Sequence, residues 1–404
     1  MSAAVVRPVP DLGTVVHDAQ APVAIMSSSF DVIILGAGMA GASLAAELAP
    51  QRKVLLLEVE DEAGRHATGR SAAMFFESYG NATVCALSRA SRAFLEHPPA
   101  GFADAPLMTP RAAMFVADVE GLPRLEAMLS APGAAPTLRR LAPAAAIERV
   151  PILRPEWLAG AALDESGCDM DVAAIHQGYL RSARRAGAQL VLGACETMLA
   201  HEAGCWVVRS RVGEFGAPVL VNATGAWADA VTRRAGVQTV GLQPKRRTAV
   251  TIPAPEGHDI RRWPLVIDID ETVYFKPDAG QLLLSPANED PMDPCDVAPE
   301  ELDVAIAVDR FETLASHPVR RINHRWAGLR SFVADKSPVV GFDARAEGFF
   351  WLAGQGGYGI QMAPALARAA AALLLDRPLP ADIAAQGVVA ADLAPGRPAL
   401  RGQG

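Results

Sequence analysis

Cysteine is scarce and never paired. The 404 residues hold five (Cys85, Cys168, Cys195, Cys205 and Cys295), with no CxxC and no metal-ligand rhythm. This excludes a disulfide framework and a structural zinc site, and it reads as reduced thiols in a cytoplasmic protein. A basic excess is missing too. Thirty-seven Lys and Arg against 45 Asp and Glu leave a formal charge of -8, so no nucleic-acid partner is expected. The acidity leaves the substrate open, because a positive cleft can sit inside an acidic protein. No apolar run approaches the roughly 18 residues of a transmembrane segment. The first 25 residues lack the charged start and apolar block of a secretory signal. They lead into Met26-Ser27-Ser28-Ser29, and residues 1–29 are expected to be a disordered extension, or to reflect an upstream start with Met26 the working one.

What remains is a core-forming chain, 50% hydrophobic and 20% charged, long enough for two domains or one domain with an insertion. Phe30-Asp31-Val32-Ile33-Ile34-Leu35 is a short apolar run ending at glycine, the pattern of a buried parallel strand. An Ala/Leu-rich helix over 42–48 follows, then a second buried strand, Lys53-Val54-Leu55-Leu56-Leu57-Glu58. Leu220 to Gly225 and Phe349 to Gly354 repeat the strand-then-glycine pattern, the latter opening into a helix expected from Gly359 to Leu375. Asn81 to Leu95 and Asp171 to Ala186 read as helices capped by Asn and Asp. Residues 240–285 alternate apolar and polar between turn signals such as Asp278-Ala279-Gly280, which predicts a separate antiparallel sheet.

Gly36, Gly38 and Gly41 form GxGxxG, with Met39 and Ala40 inside it, between the first strand and the helix. The first glycine allows the tight turn, the second lets backbone approach a diphosphate, and the third lets helix and strand pack closely. Glu58, at the end of the second strand, is placed to accept both ribose hydroxyls and selects against a 2′-phosphate. That leaves NAD or FAD. Two later loops favour FAD. One is His66-Ala67-Thr68-Gly69-Arg70-Ser71-Ala72-Ala73, whose backbone could follow a diphosphate and a flavin edge. The other is Gly354-Gln355-Gly356-Gly357-Tyr358-Gly359, which carries N–H groups toward a flavin carbonyl.

These segments, with Asn222-Ala223-Thr224-Gly225-Ala226-Trp227, resemble the glycine/D-amino-acid oxidase family of flavoproteins, and within it the bacterial D-arginine dehydrogenase branch. Further strings carry the likeness, among them Asp169-Met170-Asp171, Gln243-Pro244-Lys245-Arg246-Arg247, Trp326-Ala327-Gly328-Leu329-Arg330-Ser331-Phe332 and Gln355 through Gln361. The resemblance implies an α/β fold: a Rossmann-like FAD-binding domain on a parallel sheet, interwoven with an α+β substrate domain on an antiparallel sheet. The expected boundaries are 30–110, 160–240 and 325–390 for FAD, 111–159 and 241–324 for substrate, and 391–404 as a C-terminal tail.

By the same resemblance the chain oxidises a carbon–nitrogen bond, with oxygen or a quinone-type acceptor to reoxidise the flavin. FAD is expected to bind non-covalently, because Cys295 lies in a Pro/Asp-rich loop and no cysteine is near Gly354–Gly359. Arg70, Ser71, Ala72, Ala73, Thr224, Gly225, Trp227, Arg330 and Gly356 through Gln361 (Gly356, Gly357, Tyr358, Gly359, Ile360, Gln361) join the GxGxxG residues and Glu58 as cofactor ligands. Arg247 and Arg330 would grip a substrate carboxylate, with Tyr79 and Tyr274 closing around it and Gly357 beside it. A planar guanidinium forks two hydrogen bonds onto a carboxylate and stays charged when desolvated, which suits that role.

The chain departs from that branch at three aligned positions: Met74 replaces a histidine, Phe76 a threonine, and Ala113 a glutamate that faces a substrate guanidinium. Met74, Phe76 and Leu265 therefore build a pocket for an apolar or aromatic side chain, unless a local bulge turns Glu77 inward. With no histidine there, water, desolvation, or Tyr79 and Tyr274 as hydrogen-bond partners remain to give the neutral amine that hydride transfer from Cα to flavin N5 requires. Desolvation beside the two arginines is favoured, and His66 is a fallback base. The expected reaction is oxidation of a D-amino acid to its imine, which hydrolyses to a 2-oxo acid and ammonia. Rival readings are sarcosine-type oxidation of a secondary amine, 2-hydroxy-acid oxidation, and a flavin-binding protein without turnover.

Overall fold

The structure, a computed structural model, describes residues 30–131 and 137–400, so the expected N-terminal extension lies outside the described residues. Two sheets organise the chain. The first has six strands in the order Val339–Phe342, Phe349–Ala353, Val219–Asn222, Val32–Leu35, Val54–Leu57 and Gln189–Val191. All neighbours are parallel except the Val339–Phe342 edge, which runs antiparallel to Phe349–Ala353.

Strand alternation explains why the apolar runs are continuous here. Val32, Ile34, Val54 and Leu56 face helices Met39–Leu48, Val172–Arg185 and Ala363–Leu374. Their neighbours Ile33, Leu35, Leu55 and Leu57 face the opposite way, toward Leu199, Trp206 and Val208 of a small three-stranded sheet. Both faces are dry, so every position must be apolar. The helix caps follow the sequence reading. The side chain of Asn81 accepts from Val84 N at 3.0 Å, and that of Asp171 accepts from Ala174 N at 2.8 Å.

The second sheet has nine strands and contains the 240–285 region. It is mixed rather than antiparallel, because Ala113–Ala117 pairs in parallel with Leu265–Asp268. One face packs on helix Glu301–Leu314, where Phe275 and Phe311 meet edge to face at 5.1 Å.

Several expected boundaries change. The 160–240 segment begins with Gly160–Asp164, a strand of the mixed sheet paired to Ala113–Ala117. The 325–390 segment likewise opens in that sheet, through strand His324–Phe332. Sheet membership is set by a distant partner, which a local apolar pattern does not name. The helix expected from Gly359 starts at Ala363, behind a Met362 cap and with proline in its first turn. Most of the expected tail is anchored: Leu393 is fully buried, and Arg397 pairs with Asp335 at 2.7 Å.

Candidate flavin and carboxylate site

A cavity of about 780 Å³ runs between the two sheets. One end is the GxGxxG turn. Gly36 has φ +94, and a Cβ there would lie 2.6 Å from the Ala223 carbonyl oxygen. At Gly41 a Cβ would fall 1.9 Å from the Gly36 carbonyl oxygen, so the third glycine exists to let the helix sit on the turn. The helix has no side-chain cap at Gly38 and no acid in its first turn, which leaves its positive end for an anion. Glu58, only 8% exposed, accepts from Ala37 N at 2.8 Å and Glu60 N at 3.1 Å. This cradle fits the ADP half of FAD.

Sequence reading missed two supports of the turn. Thr68 Oγ1 accepts from Met39 N at 3.0 Å, tying the 64–73 loop to the helix start. His176, buried on helix Val172–Arg185, places Nε2 2.8 Å from the Ala37 carbonyl oxygen, and burial pushes its pKa down. The imidazole thus acts as a neutral donor to that oxygen. The signal was present as a histidine on a buried helix face, but its partner lies 139 residues away.

Met39, Ala40, Ser71, Ala72, Ala73, Thr224, Gly225 and Trp227 line the cavity, as do Gly356, Gly357, Gly359 and Ile360. Arg70 also lines it but spends its guanidinium on protein, donating to Val297 O (3.0 Å) and Ala327 O (3.1 Å) and pairing with Asp296. Three expected cofactor residues stand behind the wall. Gly41 lies under the turn. Tyr358 packs edge-on against Tyr79 at 4.9 Å. Gln361, 2% exposed, donates to Ser88 Oγ at 2.8 Å, and its Oε1 faces Phe76 N at 3.4 Å. They support the site rather than face it. His66 Nε2 hydrogen-bonds with Glu60 at 2.8 Å and its ring leans on Trp227 at 4.6 Å, so it orders the loop.

The other end gathers Arg247, Arg330, Tyr79 and Tyr274, with Met74, Phe76 and Leu265 beside them. Strand Gln243–Pro253 pairs with His324–Phe332 so that Lys245 lies opposite Arg330 and Arg247 opposite Gly328. Arg247 and Arg330 are therefore diagonal neighbours on one face. Alternation also separates the basic run: Arg247 enters the cavity, whereas Arg246 turns away to Asp303 at 2.8 Å.

The two guanidiniums differ in partners. Arg247 donates to Asn288 O at 2.8 Å and stands 3.6 Å from Glu289; burial, and then Arg330, push its pKa down. Arg330 bonds only to Tyr79 Oη, at 3.3 Å from each terminal nitrogen, and no carboxylate among the described residues pairs with it. Burial works against its charge, and the Tyr79 oxygen is the hydrogen-bond acceptor that favours it. Gly357 makes room for it, since a Cβ there would lie 2.3 Å from Arg330 Cζ.

Glu77 does not bulge inward; it ion-pairs with Arg92 at 2.5 Å. Ala113 is fully buried in the layer of Phe76 and Phe115. An acid overlooked near this end is Glu271, which lines the cavity from an exposed turn with φ +51, three residues before Tyr274.

Among solved structures, glycine oxidase from Geobacillus kaustophilus superposes with a TM-score of 0.76 at 22% identity, over 86% of this chain and 95% of that one. L-proline dehydrogenase from P. horikoshii gives 0.73 at 20% identity, over 87% and 95%. In sequence, FAD-dependent oxidoreductase domain-containing protein 1 of Xenopus laevis is 28% identical over 178 residues, 39% of this chain and 35% of that protein. The match thus spans about a third of that relative's length. The family described as FAD dependent oxidoreductase (DAO) matches residues 31–373. With its fold and its cradle for the ADP half of the coenzyme, the chain belongs to the DAO family of FAD-dependent oxidoreductases.

Proposed function

We propose that this protein oxidises the carbon–nitrogen bond of an α-amino acid, of D configuration and with an apolar or aromatic side chain, to the imine. The carrying observation is Arg330, a half-buried guanidinium that faces the cavity, bonds to Tyr79 Oη and has no counter-anion among the described residues. A desolvated cation without an anion is costly, and a substrate carboxylate offsets that cost. Arg247 supplies the second grip. Tyr79, stacked on Phe76 at 4.9 Å, closes one wall, and Tyr274 lines the same cavity as a hydrogen-bond partner for the substrate.

FAD, when bound, supplies the two-electron acceptor that takes hydride from Cα. Met74, Phe76 and Leu265 exclude water around the amine and favour its neutral form, helped by two nearby positive charges. No side-chain base is needed at Met74. Non-covalent cofactor binding is part of this reading: burial, and then Asp296, push up the pKa of the Cys295 thiol, which lines the cavity, and so blunt it as a nucleophile. The reduced state of all five cysteines suits the cytoplasm.

Structural neighbours named glycine oxidase, L-proline dehydrogenase and L-amino acid deaminase support amino-acid oxidation as the reaction class. The D configuration rests on the resemblance to D-arginine dehydrogenases. Anaerobic mixing of the FAD-loaded protein with D- and L-amino acids, N-methyl amino acids and 2-hydroxy acids tests the reading through flavin bleaching. D-leucine, D-methionine and D-phenylalanine should bleach fastest. A lead for D-arginine would overturn the apolar pocket and make Glu271 the partner of a cationic side chain. A flavin that no compound bleaches would overturn the enzyme reading.

A further inference from the structure

Arg247 faces a problem that its neighbour does not. It is 8% exposed, it is repelled by Arg330, and a carboxylate stands 3.6 Å away in Glu289. Glu289 is itself held by Lys245 at 2.9 Å and Lys336 at 3.5 Å. A long flexible side chain in that setting would collapse onto the resident acid unless something fixed it elsewhere.

The residues flanking Arg247 provide the fixing. Arg246 and Thr248 point to the opposite face of strand Gln243–Pro253, toward helix Glu301–Leu314. There one oxygen of Asp303 accepts from Thr248 Oγ1 at 2.6 Å, Arg246 Nε at 2.8 Å and Asn288 Nδ2 at 3.2 Å. Asp303 is 5% exposed, and Thr248 is fully buried. Asn288 then spans both faces. Its side-chain oxygen accepts from Thr248 N at 2.9 Å, and its backbone oxygen accepts from Arg247 Nε at 2.8 Å. With Nε engaged, and Nη2 no closer than 3.6 Å to Glu289, the terminal nitrogens of Arg247 can still fork onto a carboxylate.

We infer that Asp303, outside the cavity, is a positioning residue that orients Arg247 through Thr248 and Asn288 and so sets the affinity for the substrate carboxylate. The inference rests on the reading of Arg247 as a carboxylate anchor. It divides the work between the arginines: Arg330 is held by Tyr79, Arg247 by a polar chain that reaches the back of the sheet.

The test uses the FAD-loaded protein and 3-phenylpropanoate, which has a carboxylate and no amine, with 3-phenylpropanamide as the uncharged control. Flavin absorbance reports binding of both. Thr248→Val and Asn288→Ala should each weaken the carboxylate about tenfold, while the amide affinity and the FAD content stay at wild-type values. With the preferred amino acid they should raise KM more than they lower kcat. Asp303→Asn should do the same more severely; if that variant does not fold, the other two carry the test. Wild-type carboxylate affinity in Thr248→Val and Asn288→Ala, alongside a weakened Arg247→Met, would overturn the inference and spare the carboxylate reading. Arg247→Met binding 3-phenylpropanoate like wild type would overturn both.

Discussion

The two ends of the cavity are built on opposite principles. The dinucleotide end is made of backbone: a turn of glycines, an uncapped helix start, and one carboxylate at the end of the adjacent strand. Nearly all of it lies within residues 32–58, and its tolerances are those of hard spheres. The carboxylate end is made of long side chains from distant segments, Tyr79, Arg247, Tyr274 and Arg330, of which the arginines are held by hydrogen bonds to Asn288 and Tyr79. Three of the chain's four tyrosines gather there: Tyr79 and Tyr274 line the cavity, and Tyr358 stands behind Tyr79. A backbone site is all-or-none, whereas a side-chain site can be weakened by degrees.

The largest expected effect breaks the first end outright. Gly41→Val puts a branched side chain where even a Cβ falls 1.9 Å from the Gly36 carbonyl oxygen. The purified variant should be colourless and take up no FAD, read from its visible spectrum; a yellow variant with full cofactor content would show that the helix can lift off the turn.

The second end should fail by degrees and unequally. Arg330→Met removes the guanidinium that lacks a resident anion, and kcat/KM with the preferred amino acid should fall about a hundredfold or more with FAD retained. Arg247→Met should cost several-fold less, because Glu289 and Asn288 already occupy part of that guanidinium. Equal losses would erase the distinction drawn between the two arginines.

A smaller effect links the ends to pH. Burial lowers the folded-state pKa of His176 from its ordinary 6.5. As pH falls through about 6.5 the unfolded chain takes up this proton first, so the stability from His176 is full above that value and declines below it. The decline is at most about 1.4 kcal/mol per pH unit. His176→Gln keeps a donor for Ala37 O but does not titrate, so its Tm should drop less than wild type between pH 7 and pH 5.5. Parallel Tm curves would mean that the imidazole titrates normally in the fold.

Legibility in the sequence follows the same division. GxGxxG, the two flanking strands and Glu58 could be read because their partners lie within one βαβ unit, where spacing translates directly into geometry. The caps Asn81 and Asp171 were legible for the same reason, since each bonds three residues away. Glu77 was ambiguous because strand alternation gives a face and not a partner, and that partner is Arg92 on the following helix. Gln361 and Tyr358, expected to touch cofactor, turned out to brace Phe76 and Tyr79 from behind, a distinction set by packing alone.

Local order in the chain thus determined that a flavin-type dinucleotide is held, and by which backbone, because sterics of the turn act over a few residues. Tertiary structure decided which arginine is left without an anion, which is tied to Asn288, and that Glu271 reaches the cavity while Glu77 does not. Those outcomes depend on charges brought together from strands scores of residues apart, and electrostatic energy depends on distance in space.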